Sequence, residues 1–299
     1  MKTYLGIDVG GTFIKSALIS ETGTVSQEKK VATPDNMADF LILLENLVAE
    51  SKDQITGVGI SAPGRIDVKT GYVHVGGALL YLKDLALKDH LEQKFGLPCA
   101  VINDAKAAVL AEHWLGNLKE VQNGAALVLG TGVGSGIILN GQLLQGSHFQ
   151  AGELTFMLRS AGTLDMRNLT GMAASAVGFI SRAASLLDLS DKNDGQTVFE
   201  AIKAGDNAEL TQLFEAYCRE IVFMIYNLQA VIDVEKVVIG GGISSQDILI
   251  DQVRDIYLKD KRSSDIYDAM FTDLKIEPCA FRNASNMIGA VSLLVNNKR

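Results

Sequence analysis

Three short stretches of this chain have residue types and spacing suited to chemistry on a phosphate. Asp8-Val9-Gly10-Gly11-Thr12 combines an acid, two glycines and a hydroxyl. Glycine lets backbone N–H groups approach an anion closely, the hydroxyl can bond a phosphate oxygen, and the acid can hold a Mg²⁺ water. Gly130-Thr131-Gly132-Val133-Gly134-Ser135-Gly136 reads as a second glycine-rich turn, with two hydroxyls. Either turn alone reads equally well as a tight hairpin, whereas two in matching contexts favour a pair of phosphate cradles. Asn103-Asp104 closes an apolar run. A carboxylate there can take the proton of an attacking hydroxyl, the general-base role in phosphoryl transfer, and Asn103 can bond a neighbouring sugar hydroxyl. Local sequence favours a plainer reading of Asp104, as the N-cap of the helix that follows.

Gly240-Gly241-Gly242 follows a hydrophobic strand and precedes a helical stretch. Three glycines in a row admit an adenine or ribose against the backbone, or simply a close-packed neighbour. Two common nucleotide signatures are absent. No Gly-x-x-x-x-Gly-Lys-Ser/Thr occurs, and the run from Gly130 fits no Gly-x-Gly-x-x-Gly and leads into a strand rather than a helix. His74, His90, His113 and His148 have no metal-ligand spacing and read as surface or capping residues; His148 alone lies near Glu153. Lys15 could reach a phosphate, although an exposed strand residue is the plainer reading.

The elements that must position these residues come in two cycles. Strands are predicted at 4–9, 13–19, 55–61 and 99–102, and helices at 37–51, 85–95 and 105–114. A second cycle begins near Gly124, with strands at 125–129, 137–139, 234–239 and 274–278. Its helices are predicted at 172–187, 197–204, 208–230, 247–258 and 285–295. Strand, glycine turn, strand therefore occurs twice, at 5–19 and 127–139, which reads as a duplication of α/β lobes. A lobe over 1–116, completed by the C-terminal helix 285–299, is expected to meet a second over 117–284 at a hinge near Gly116.

Composition agrees. The 299 residues are 47% hydrophobic and 21% charged, enough for two cores. The net charge of −8 disfavours non-specific nucleic-acid binding. No apolar run is long enough to span a membrane, and the start lacks a signal pattern. Cys99, Cys218 and Cys279 are scattered and odd in number, which predicts free buried thiols in a reducing cytoplasm.

Taken in order, Asp8–Thr12, Ser61-Ala62-Pro63-Gly64 with Asp67, Asn103-Asp104-Ala105, Gly130–Gly134, Ala151-Gly152-Glu153 and Gly240–Gly242 resemble the ROK family, which covers bacterial sugar kinases and related repressors. The resemblance spans nearly the whole chain. It implies an actin- and hexokinase-like (ribonuclease H-like) α/β fold with ATP and sugar in the cleft between two lobes. It implies Asp104 as base and the turns Asp8, Gly10, Gly11, Thr12 and Gly130, Thr131, Gly132, Gly134 on the phosphates. Gly240, Gly241 and Gly242 would serve the nucleotide, and Pro63, Gly64, Asn103, Asp104 and Glu153 would line the sugar pocket. Mg²⁺ would come with ATP, through water to Asp8, and the assembly would be a homodimer.

The departures from that pattern fall on the sugar side. Thr155 and Phe156 stand where the family usually has Gly-His, and residues 157–172 contain no Cys or His, so no structural zinc is expected. Lys106 replaces the usual second Asn, and Gly76–Tyr81 replaces the usual Asn-Leu-Pro-Gly-Trp loop. The expected activity is ATP-dependent phosphorylation of a hexose or hexoside at the 6-hydroxyl. Glucose or a β-glucoside is favoured, with N-acetylmannosamine a further candidate. The alternatives are a non-catalytic sugar-binding protein and a sugar-sensing transcriptional regulator. The family's repressors carry an N-terminal helix-turn-helix domain, whereas only Met1-Lys2-Thr3 precede the first predicted strand here.

Overall fold

The computed structural model describes residues 2–162, 164–281 and 284–296. The chain begins with β1 (Thr3–Val9), β2 (Phe13–Ser20), β3 (Val25–Ala32), α1 (Met37–Ser51), β4 (Val58–Ala62), β5 (Arg65–Asp67), β6 (Tyr72–Val75), β7 (Leu85–Ala86), α2 (Leu87–Phe95), β8 (Cys99–Asn103) and α3 (Asp104–Leu115). Next come β9 (Gly124–Leu129), β10 (Val133–Leu139), β11 (Gln142–Leu143), α4 (Thr170–Ala173), α5 (Ala176–Leu186), α6 (Gly195–Ala204) and α7 (Ala208–Ile232). The chain ends with β12 (Lys236–Gly241), α8 (Asp247–Arg262), α9 (Asp265–Met270), β13 (Lys275–Pro278) and α10 (Ser285–Asn296). These elements form two compact units. The first comprises 1–119, 143–151 and 283–299; the second comprises 120–142 and 152–282.

Each unit is built on a five-stranded sheet with the same plan. In the first the order is β3-β2-β1-β4-β8, and in the second β11-β10-β9-β12-β13. β1 and β2 pair antiparallel from Thr3↔Ser20 to Val9↔Ile14, and β9 and β10 pair antiparallel from Leu129↔Val133. On the other side of β1 and β9 the next two strands run parallel. The duplication predicted from the two glycine turns thus extends to whole sheets. Parallel strands are buried on both faces and read as continuous apolar runs. Ile7, Ile60 and Val101 in the first sheet, and Leu127 and Val238 in the second, are fully buried.

The first unit is closed by its last helix. α10 packs against α3, β4 and β1. The approach is close enough that a Cβ on Gly59 would lie 2.6 Å from the Val291 nitrogen, and one on Gly289 1.8 Å from the Ala107 carbonyl oxygen. α1 contributes Phe40, Leu44, Leu47 and Val48 to the opposite core, at the spacing of one helical face.

Several expectations need correction. β3 was not anticipated: it is a largely exposed edge strand with no apolar alternation. The small sheet β5-β6-β7 was also unforeseen. The glycine run 130–136 is a turn only over Gly130–Gly132, because β10 starts at Val133 and Gly134 pairs with Val128. The single helix expected over 172–187 is two, with α5 restarting on Ser175, whose hydroxyl accepts the Gly178 N–H. Cys99 and Cys218 are buried free thiols, but Cys279 is only half-buried. The last three residues of the helix expected over 285–299 lie outside the described residues.

Candidate active site

In the first unit the candidate residues gather where parallel strands end. Asp8, Ala62-Pro63 and Asn103 stand at the carboxyl ends of β1, β4 and β8, the edge at which open α/β sheets present ligand-binding groups. Asp8 is buried, and its Oδ1 accepts hydrogen bonds from Ser61 Oγ at 2.7 Å and Asn286 Nδ2 at 3.0 Å. Lys15 Nζ lies 3.9 Å from Asp8 Oδ2, so the strand lysine faces the carboxylate. Next along the chain, the Gly10 N–H is spent on the Phe13 carbonyl at 3.1 Å. The exposed tip of the turn is therefore Gly11-Thr12, and a Cβ on Gly11 would meet nothing within 4 Å.

Asn103, not Asp104, caps α3. Its Oδ1 accepts the N–H groups of Ala105 at 3.1 Å and Lys106 at 3.2 Å, and its Nδ2 donates to the Gly64 carbonyl at 2.9 Å. The capping role read for Asp104 thus belongs to its neighbour, and the Asn103 amide serves the scaffold at both ends. Asp104 is the first residue of α3 and half-buried; its Oδ1 accepts the Ala105 N–H at 2.8 Å. Gly64 has φ +100° and a Cβ there would sit 1.9 Å from the Val75 carbonyl, so only glycine lets the Pro63-Gly64 loop lie against β6. Asp67 works as a turn former, accepting from the Lys69 N–H and the Thr70 hydroxyl.

In the second unit the equivalent turn is braced by Thr155, one of the departures from the family pattern. The Thr155 hydroxyl accepts the Val133 N–H at 3.2 Å, and a Cβ on Gly132 would come within 2.8 Å of it. Thr155 therefore fills the space behind the turn. Ser135 Oγ bonds the Gly152 carbonyl, which ties β10 to the start of Gly152-Glu153; Glu153 is exposed. The Gly130 carbonyl accepts the Ala176 N–H at 2.9 Å, so it occupies the N-terminus of α5. Thr131 is exposed at the tip.

The three glycines after β12 divide. A Cβ on Gly240 would lie 2.9 Å from Cys279 Sγ, and one on Gly241 2.0 Å from the Leu129 carbonyl, so both are demanded by close packing. Gly242 is exposed with open space around it. It borders a cavity of about 450 Å³ whose lining includes Gln196, Phe199, Glu200, Lys203 and Ile243. Sequence reasoning missed these α6 residues, which carry no motif. Lys203 Nζ donates to Gln246 Oε1 at 2.8 Å at its rim.

Among the described residues no group of three or more His, Cys, Asp or Glu could hold a metal ion. A Mg²⁺ bound chiefly by nucleotide phosphates and water needs only one or two protein carboxylates, and Asp8 with its second oxygen fits that need. No helix among the described residues is long and apolar enough to cross a membrane.

Comparison with known proteins agrees with this architecture. The ROK family model matches residues 4–297. A beta-glucoside kinase of Listeria monocytogenes is 30% identical over 291 residues, covering 95% of this chain and 94% of that protein. A glucokinase of Halalkalibacterium halodurans is 33% identical over 269 residues, covering 81% and 80%. The crystal structure of a ROK family protein from Streptococcus pneumoniae in complex with sucrose superimposes with a TM-score of 0.87 at 26% identity, covering 99% of this chain and all of that one. The fold is accordingly the actin/hexokinase-like one, and this chain belongs to the ROK family.

Proposed function

We propose that this protein is an ATP-dependent carbohydrate kinase that phosphorylates a hexose or hexoside at its 6-hydroxyl, with glucose and β-glucosides the first candidates. The observation that carries this reading is Asp104 at the first position of α3, outside the cap that Asn103 makes. Asp104 would accept the proton of the sugar hydroxyl as that oxygen attacks the terminal phosphorus and ADP leaves. Asp8 and the exposed Gly11-Thr12 tip, together with Gly130, Thr131 and Gly132, would serve the phosphates, with Gly10 and Gly134 shaping the two turns. The cavity beside Gly242 has the volume of a small-molecule site and would take the adenosine. Pro63, Gly64 and Glu153 would meet the sugar, with Asn103 contributing the Nδ2 hydrogen that the Gly64 carbonyl does not take. When bound with ATP, Mg²⁺ supplies neutralisation of the phosphate charge, with Asp8 holding it through water.

The choice of acceptor draws on the relatives. Proteins named beta-glucoside kinase, glucokinase and N-acetylmannosamine kinase, and the sucrose complex, all point to hexoses and their derivatives. The lack of Cys and His over 157–172 supports activity without structural zinc. A homodimer in the cytoplasm, with no nucleic-acid or membrane partner, completes the proposal; equilibrium sedimentation tests the dimer.

The test of function is ATP consumption against a panel of sugars, repeated with Asp104→Ala. Sugar-dependent turnover that the substitution abolishes is the expected result. Sugar binding by the unaltered protein with no turnover would overturn it in favour of a sensor.

A further inference from the structure

Residues 143–151 belong to the first unit although the second unit flanks them in sequence. Within this stretch the Ala151 N–H donates to the Gln145 carbonyl at 3.2 Å, and the Phe149 N–H to the Gly146 carbonyl at 3.4 Å. Two bonds of that length close the loop but do not fix its position. The stronger hold comes from Lys106. Its ammonium donates to the Phe149 carbonyl at 2.6 Å, and the residue is only 2% exposed. The Phe149 ring lies flat on the His74 imidazole, with centroids 5.7 Å apart and planes 14° from parallel. Tyr72 meets the same imidazole edge-on at 5.0 Å.

Two features show that this attachment is specific. Phe149 has φ +61°, in the left-handed region that a bulky residue rarely adopts unless its surroundings hold it there. Lysine is almost never fully buried unless its charge is met. Val109, one turn further along the same face of α3, is buried and apolar, so an apolar side chain at 106 would suit this face at lower desolvation cost. At position 106 the chain instead carries an ammonium that donates to the loop.

We propose that Lys106 is a positioning residue for the phosphate acceptor. It clamps the Gln145–Ala151 loop to the helix that begins with Asp104, so the loop moves as one piece with the general base and forms part of the acceptor wall. The loop runs directly into Gly152-Glu153 in sequence. The inference rests on the kinase reading and refines its sugar side.

The test compares Lys106→Met and Lys106→Arg with the unaltered protein by amide hydrogen exchange and by steady-state kinetics. Lys106→Met is expected to speed exchange at Phe149 and Ala151 by roughly tenfold or more. It is expected to raise the sugar KM by a similar factor, with the ATP KM within about twofold. Lys106→Arg, which keeps a donor, restores part of both. His74→Ala, which removes the stack without touching α3, shifts both readouts in the same direction and serves if Lys106→Met fails to fold. Unchanged loop exchange overturns the clamp. Equal rises in both KM values with a fall in Tm overturn the positioning role in favour of general stability. An unaltered protein that turns over no sugar overturns the kinase reading and the acceptor role together, while the clamp still stands or falls on exchange.

Discussion

The side-chain carbonyl of Asn103 accepts the backbone N–H of Lys106 at 3.2 Å and so closes the N-terminus of α3 one residue ahead of Asp104. Capping thereby falls to Asn103, and the base role proposed for Asp104 can be tested apart from it by mutation. Asp104→Asn keeps the volume and the cap, so stability should change by less than about 0.5 kcal/mol. Turnover should fall by about 10²–10⁴, the range for loss of a general base. Asn103→Ala removes the cap and the bond to Gly64, and should cost about 1–2 kcal/mol in denaturant unfolding. Equal destabilisation by the two substitutions would contradict this division.

Gly11 offers a similar separation. Its position is exposed, has no positive φ and gives a Cβ open space. Gly11→Ala should therefore leave Tm within a degree or two of the parent. If the turn holds phosphate as proposed, a methyl at its tip would stand where the phosphate oxygens approach. The ATP KM should rise by roughly tenfold with the sugar KM little changed. A variant with unaltered ATP kinetics would remove the turn from the nucleotide site.

These substitutions also mark how far the sequence was legible. Both glycine turns and the positions of the core strands along the chain followed from apolar runs and turn chemistry, which are local. What escaped were features decided by tertiary partners. Nothing local says that Asn103 rather than Asp104 makes the cap, since either side chain can. Thr155 and Lys106 were visible only as departures; that one holds the Val133 N–H and the other reaches Phe149 depends on segments 22 and 43 residues away. The edge strand β3 and the cavity wall on α6 carry no pattern, because exposed strands need no alternation and cavities are made by shape.

Acid should reveal the contact between α1 and α2. Glu45 accepts from His90 Nε2 at 2.8 Å and pairs with the Lys94 ammonium. Hydrogen bonds from Lys94 first and His90 second hold its carboxyl below the usual range. A depressed carboxylate contributes stability that is fully present above its unfolded value and is lost as pH falls through the folded one. Glu45→Gln should therefore be less stable than the parent near neutrality, with the two Tm curves converging as pH falls below about 4. Parallel curves down to the acid limit would show that the pair contributes nothing.

The last helix bears on Asp104, the proposed base, through Gly289. A methyl there would sit 1.8 Å from the Ala107 carbonyl oxygen, an obstacle in the backbone of α3 rather than in a side chain. Exchange of glycine for alanine within a helix ordinarily stabilises by about 1 kcal/mol. Here the sign should reverse, because α10 and α3 can accommodate the methyl only by moving apart. Overpacking of this kind costs about 1–3 kcal/mol and occasionally more, so Gly289→Ala should lower stability by at least the middle of that range. Separation of α10 from α3 would also shift Asp104, which α3 presents, so kcat should fall alongside Tm. Adding Ala107→Gly should not rescue either property, since it deletes a methyl and leaves the obstructing carbonyl in place. Rescue by that second substitution, read from Tm and kcat together, would mean that the side chains rather than the backbones set the spacing.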